Sequence, residues 1–130
     1  MPFDLAASLI DALERDLGAS LPKSFADAMR AANGGELDVD GDDWQQYPIE
    51  DTSDRKRAGR TANHVLKETG RLRQWARFPQ EALAIAENGS GDQLVLLRDG
   101  NRFGPAIHRW AHETGLLTKV ADDFSELRRA

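Results

Sequence analysis

Residues 85–100 read IAENGSGDQLVLLRDG, and Gly89-Ser90-Gly91 is the first stretch that could do chemistry. A phosphate cradle places such glycines between a strand and a helix, so that backbone N–H groups and the helix N-terminus point at the anion. Here they lie between two apolar runs that read as strands. Position 94 is leucine, so the third glycine of GxGxxG is missing, and no Gly-Lys-Ser/Thr follows. Ser90 is not a nucleophile elbow either, because GxSxG needs glycines two residues to each side. Asn88-Gly89 and Gly91-Asp92 are turn chemistry, since these residues tolerate positive φ.

His108 and His112 are four apart, but PAIHRWAHE alternates like a strand. On a strand the two rings would stand roughly 13 Å apart, too far to share a metal. His112-Glu113 does not begin HExxH, because position 116 is leucine. His64 has no obvious partner in the sequence. Asp38, Asp40 and Asp42 resemble the start of a calcium loop, yet the glycine (Gly41) precedes the third acid and position 49 is isoleucine rather than glutamate. Carboxylates are plentiful, but none stands in a recognisable acid–base spacing. The chain has no cysteine, which excludes disulfides, thiolate metal sites and thiol nucleophiles. The reading is therefore a non-enzyme without catalytic, cofactor-binding or metal-ligating residues.

Charge distribution is more informative. The 130 residues carry a formal net charge of −5, which argues against nucleic acid as partner. From Glu36 to Asp54 there are eight acids and no base; from Arg55 to Arg77 there are eight bases and one acid, Glu68. One reading is two solvated faces that partly neutralise each other. The other is a docking surface for a basic partner. In the second reading Asp42, Asp43, Glu50 and Asp51 steer encounter, and Trp44 and Tyr47 serve as aromatic anchors. The alternative for both rings is that they pin the acidic segment to the core.

The elements that must position these residues are legible in outline. Leu5, Leu9, Ile10, Leu13 and Leu17 predict a helix over 4–17, with Asp4 as cap and Gly18 as terminator. A second helix is expected over 22–33, with Phe25 and Met29 on its buried face. Residues 36–60 read as a loop with one or two short edge strands. A third helix is expected over 61–75, with Val65, Leu66, Leu72 and Trp75 inside; Trp110 is also expected in the core. Beyond Phe78-Pro79, ALAIA, QLVLL, PAIHRWAH and LLTKVA read as strands joined at NGSG, DGN and ETG. A short helix closes the pattern, capped by Asp122 or Asp123, with Phe124 and Leu127 facing in. The fold class is α+β: helices packed against a mixed, mostly antiparallel sheet, in a single domain over 1–130. The first residues have no basic leader, and no stretch is long enough to span a membrane, so a cytoplasmic protein is expected.

The order of these pieces resembles the SUKH superfamily, in particular its Smi/Knr-type members. The opening signature is carried by Leu17, Gly18, Leu21, Pro22, Phe25, Asn33, Gly34 and Gly35. FPQEALAIAENGSGDQLVLL resembles the family's central hairpin, and AIHRWAHETG followed by VADDFSEL its penultimate hairpin and closing helix. Two departures stand out: Leu97-Arg98 replaces an aspartate after the second hairpin strand, and residues 38–77 match nothing firm. The resemblance implies a non-catalytic protein without cofactor. Bacterial members look like cytoplasmic immunity proteins, each binding one cognate toxin domain, often a nuclease, and neutralising it by occlusion. The implied partner is a basic toxin domain, with no nucleic acid or membrane involved, and the chain is a monomer or homodimer. The alternative is a regulatory scaffold with a housekeeping partner, as in the fungal members.

Overall fold

Residues 2–129 are described in a computed structural model of the chain. The leucine-rich N-terminal pattern makes α1 (Ala7–Leu17), which buries Ile10 and Leu13. It stops at Gly18, whose φ of 67° lets its N–H reach the carbonyls of Glu14 and Arg15. Its start departs from expectation. The N-cap position is Ala6, without a side-chain cap, because Asp4 is engaged by Arg57 instead. Helix α2 (Lys23–Ala31) follows Pro22 and buries Phe25 and Met29.

The segment read as a loop with one or two short edge strands does hold two strands and is otherwise more structured than expected. It forms β1 (Gly35–Val39), β2 (Asp42–Gln46) and α3 (Arg55–Arg60). The hairpin turns at Asp40 and Gly41, with φ of 54° and 83°. Two consecutive positive φ values suit a two-residue turn whose twist matches the strands. Helix α4 (Val65–Leu72) is shorter than the expected 61–75 and buries Val65, Thr69 and Leu72. Trp75 lies beyond its end and is 42% exposed, which corrects its assignment to the core.

The C-terminal half forms the expected strands: β3 (Ala82–Glu87), β4 (Gln93–Asp99), β6 (Ile107–Trp110) and β7 (Leu117–Ala121). Two short strands join them, β5 (Arg102–Phe103) and β8 (Arg128–Arg129). Between β7 and β8 a 3₁₀ turn (Phe124–Glu126) is capped by the Asp123 side chain. The sheet runs β7-β6-β4-β3-β2-β1-β8, with β5 beside β4. Every ladder is antiparallel, and a lone parallel bridge joins Ser20 and Arg102. Thus β2 is an interior strand rather than an edge.

Ala82 to Ala86 and Leu94 to Leu96 are all completely buried. Successive side chains of a strand point to opposite faces, so β3 and β4 are covered on both. Helix α4 lies on one: Ala84 N–H, at the bulge in β3, donates to Thr69 Oγ1 at 2.9 Å. The other face is left to the N-terminal helices, whose Ile10, Leu13, Phe25 and Met29 join the same buried cluster. Phe25 meets Phe124 edge-on at 5.3 Å. Among the described residues no helix is long and apolar enough to cross a membrane.

Phe25→Ala should lower unfolding free energy by about 3–5 kcal/mol in urea titration, because the cavity lies where neither helix nor sheet can close in. A loss below about 1 kcal/mol, the size of a surface change, would contradict this packing.

Candidate partner-binding surface

The β1–β2 hairpin sorts the acidic segment into two faces. Leu37 stands opposite Trp44, and both are buried. On the other face Glu36 is opposite Gln45, Asp38 is opposite Asp43, and Gln45 is in turn opposite Glu87 of β3. Glu36, Asp38, Asp43 and Glu87 therefore share one side of the sheet. Glu36 and Asp43 are exposed, while Asp38 and Glu87 are half-buried. No basic group lies within ion-pair distance of these four among the described residues. A shallow hollow of about 220 Å³ lies between Glu36, Asp43, Gln45 and Glu87.

The six sequence candidates do not form one surface. Asp42 and Asp43 are both exposed but point to opposite faces; Asp42 leans toward Arg109, at 3.5 Å. Glu50 is exposed on a separate loop, 3.5 Å from His64, which gives that histidine the partner its sequence context did not suggest. The other three are corrected. Trp44 is 1% exposed and Tyr47 2%, so neither ring offers a surface anchor. Trp44 lies in the core beneath the Arg109 guanidinium, 5.3 Å away. Tyr47 donates its hydroxyl to Gln93 at 2.8 Å, and burial together with Glu87 pushes its pKa well up. Asp51 is buried and structural: it accepts from Ser53 and from Arg57, at 3.1 Å from the latter. Burial alone would raise its pKa, but the Ser53 and Arg57 hydrogen bonds outweigh it and hold it below the usual carboxylate range.

Arg57 also bonds Asp4 at 3.0 Å and lies 3.8 Å from Asp54. One cation of α3 thus answers the C-terminal part of the acidic segment. The outer side of the hairpin keeps its charge. A cleft of about 390 Å³ lies behind this clasp between Phe3, Gly34, Pro48 and Thr61. Much of its polar wall is spent on the fold: the Asn33 amide bonds both N and O of Ile49 at 2.8 Å, and the Gln46 amide donates to Gly34.

A second buried carboxylate was read from sequence only as turn chemistry. Asp92, 8% exposed, accepts from the His112 backbone N–H and ring at 3.1 and 2.6 Å through one oxygen. Its other oxygen accepts two bonds from Arg109, at 3.1 and 2.8 Å. Gly91 makes this possible: a Cβ there would sit 3.1 Å from the His112 ring, and its φ is 108°. The NGSGD stretch is thus the β3–β4 turn, and its second glycine seats His112 against Asp92. The signal was present as a glycine and aspartate after the turn, without anything to say which distant side chains they receive. Burial would raise the Asp92 pKa, but the His112 and Arg109 bonds win and lower it from 3.8.

The model of the SMI1 / KNR4 family (SUKH-1) matches residues 5–129. No curated protein matches the chain.

Asp92 makes stability depend on pH with a fixed sign. The unfolded chain takes up its proton first, so the contribution is complete above the ordinary carboxylate value and disappears as pH falls through the folded-state value. Asp92→Asn should flatten the fall in thermal stability below about pH 5, with Asp51 and Asp123 contributing to the slope that remains. At neutral pH it should cost roughly 1–3 kcal/mol, because Arg109 and His112 lose their charged acceptor. An acid profile identical to that of the parent would refute this role.

Proposed function

Because the chain belongs to the SMI1 / KNR4 family (SUKH-1), we propose that it is a non-catalytic protein-binding module. Its partner is a cognate toxin domain with a basic surface, a nuclease being the leading class. It acts as an immunity protein in the cytoplasm, by covering the toxin's working surface. The observation that carries this reading is the uncovered acidic side of the β1–β2 hairpin, where Glu36, Asp38, Asp43 and Glu87 gather without a neutralising cation. Exposed like charges on a rigid sheet repel one another, and a basic partner relieves that repulsion as it docks.

Asp43 is the central steering residue, and Asp42 sits at the rim. Glu50 lies apart and contributes through its long-range field. Trp44 acts indirectly, by holding the hairpin against the core so that its outer face is preformed. A preformed surface spares the ordering entropy a flexible acidic loop would lose on binding. The net charge of −5 adds to the same attraction at a distance.

The test is survival of cells expressing the C-terminal domain of a large secreted protein encoded beside this chain, with and without co-expression. Specific rescue is expected. Toxicity without rescue turns the reading toward a regulatory scaffold. With the toxin in hand, the double change Glu36→Lys and Asp43→Lys should slow association at least about tenfold at low salt, and should remove most of its salt dependence. An association rate indifferent to both salt and these residues would move the interface off the hairpin.

A further inference from the structure

The loop after α4 exposes Trp75, and this ring is not loose. It packs edge-on against Trp110 at 6.1 Å and against His112 at 6.4 Å. His112 is in turn held by Asp92. Arg77 is fixed beside it: its guanidinium donates to the Glu113 carbonyl at 2.8 Å, and its stem lies on Gly115, where a Cβ would be 3.0 Å away. On the same β6–β7 hairpin Leu116 is 66% exposed and Leu117 38%. Together with Trp75 they are the exposed large hydrophobic residues among those described. A groove of about 350 Å³ runs between Trp75, Arg77 and His112, over buried Trp110.

Lys67, Arg73 and Arg77 are exposed along α4 and this loop, and no carboxylate lies within ion-pair distance of them among the described residues. Arg71 is answered by Glu68 at 3.0 Å. Glu113 meets Arg77 through its backbone carbonyl, and Asp92, behind His112, is already held by His112 and Arg109. The charge here is the opposite of that on the β1–β2 hairpin, from which β4 and β3 separate it in the sheet. A rigid, exposed tryptophan flanked by unneutralised cations has the composition of a binding hot spot.

We infer that Trp75, Arg73, Arg77, Leu116 and Leu117 form a second docking surface, for an acidic polypeptide segment carrying a large apolar side chain. The apolar side chain enters the groove against Trp75, and flanking Asp or Glu residues meet Arg73 and Arg77. Nucleic acid fits less well, because three cations are few for a polyanion and the acidic hairpin repels it. This surface does not depend on the immunity reading; an acidic segment of a toxin or of any other partner satisfies it.

Selection of displayed random linear peptides on the folded chain tests the proposal. Enrichment of Asp and Glu around an aromatic or aliphatic residue is expected. Peptides so selected should bind about tenfold or more weakly to Trp75→Ala. They should also bind less well to Arg73→Glu, which alters an exposed side chain and leaves the fold intact. Glu36→Lys on the hairpin should leave them unaffected, which separates this surface from the one above. Enrichment of basic peptides, no enrichment, or binding unchanged in both variants overturns the proposal. So does tighter binding of a single-stranded oligonucleotide, or a dimer in sedimentation that Trp75→Ala dissolves, since either assigns the patch another occupant.

Discussion

Over most of their length two strands of this fold have no side that faces water, and most else follows from that. The five residues Ala82–Ala86 and the Leu94–Leu96 run opposite them are completely buried, so helices must close both faces. On the α4 side the strand has a small residue and a bulge where the helix crosses. The backbone N–H freed at Ala84 is taken by Thr69 rather than by the neighbouring strand. A buried N–H without an acceptor is costly, so this bond fixes where along the sheet α4 rests. That placement sets where the chain emerges after Leu72, and hence where Trp75 comes to the surface.

The central hairpin and N-terminal helices were legible because their signals are local. Apolar runs bounded by glycine turns give buried strands, and leucines at helical spacing give α1. Residues 36–60, read as a loop with one or two short edge strands, do hold two short strands, but β2 is interior and a helix follows. Asp40-Gly41, flanked by Leu37, Val39 and Trp44, is a hairpin signal in its own right. Trp75 was misread. The helical period ends at Leu72, three residues earlier, so its phase no longer says which way the ring faces.

The candidate site was legible in charge and not in geometry. The sign and extent of the acidic segment are plain from composition. Nothing local says that Arg57 claims Asp51 and Asp4 while Arg109 claims Asp92, since these pairs are set by packing between distant elements. The structure divides the segment accordingly. Its C-terminal part is neutralised within the fold, and its hairpin keeps a bare acidic side. Of the two sequence readings, mutual neutralisation holds for the C-terminal part; the docking surface for a basic partner remains a proposal for the hairpin side.

The last strand has a consequence for how the chain is made. Arg128 and Arg129 pair with Asp38 and Leu37 of β1, and the Arg129 guanidinium reaches back to the carbonyls of Ala28, Ala32 and Gly34, closing the end of α2. Some ninety residues separate these partners. A ribosome must therefore release the chain through Arg129 before the β1 edge is covered and α2 is finished. Until then the nascent chain carries an open edge, so this side of the sheet is completed long after β1 and β2 themselves have been made.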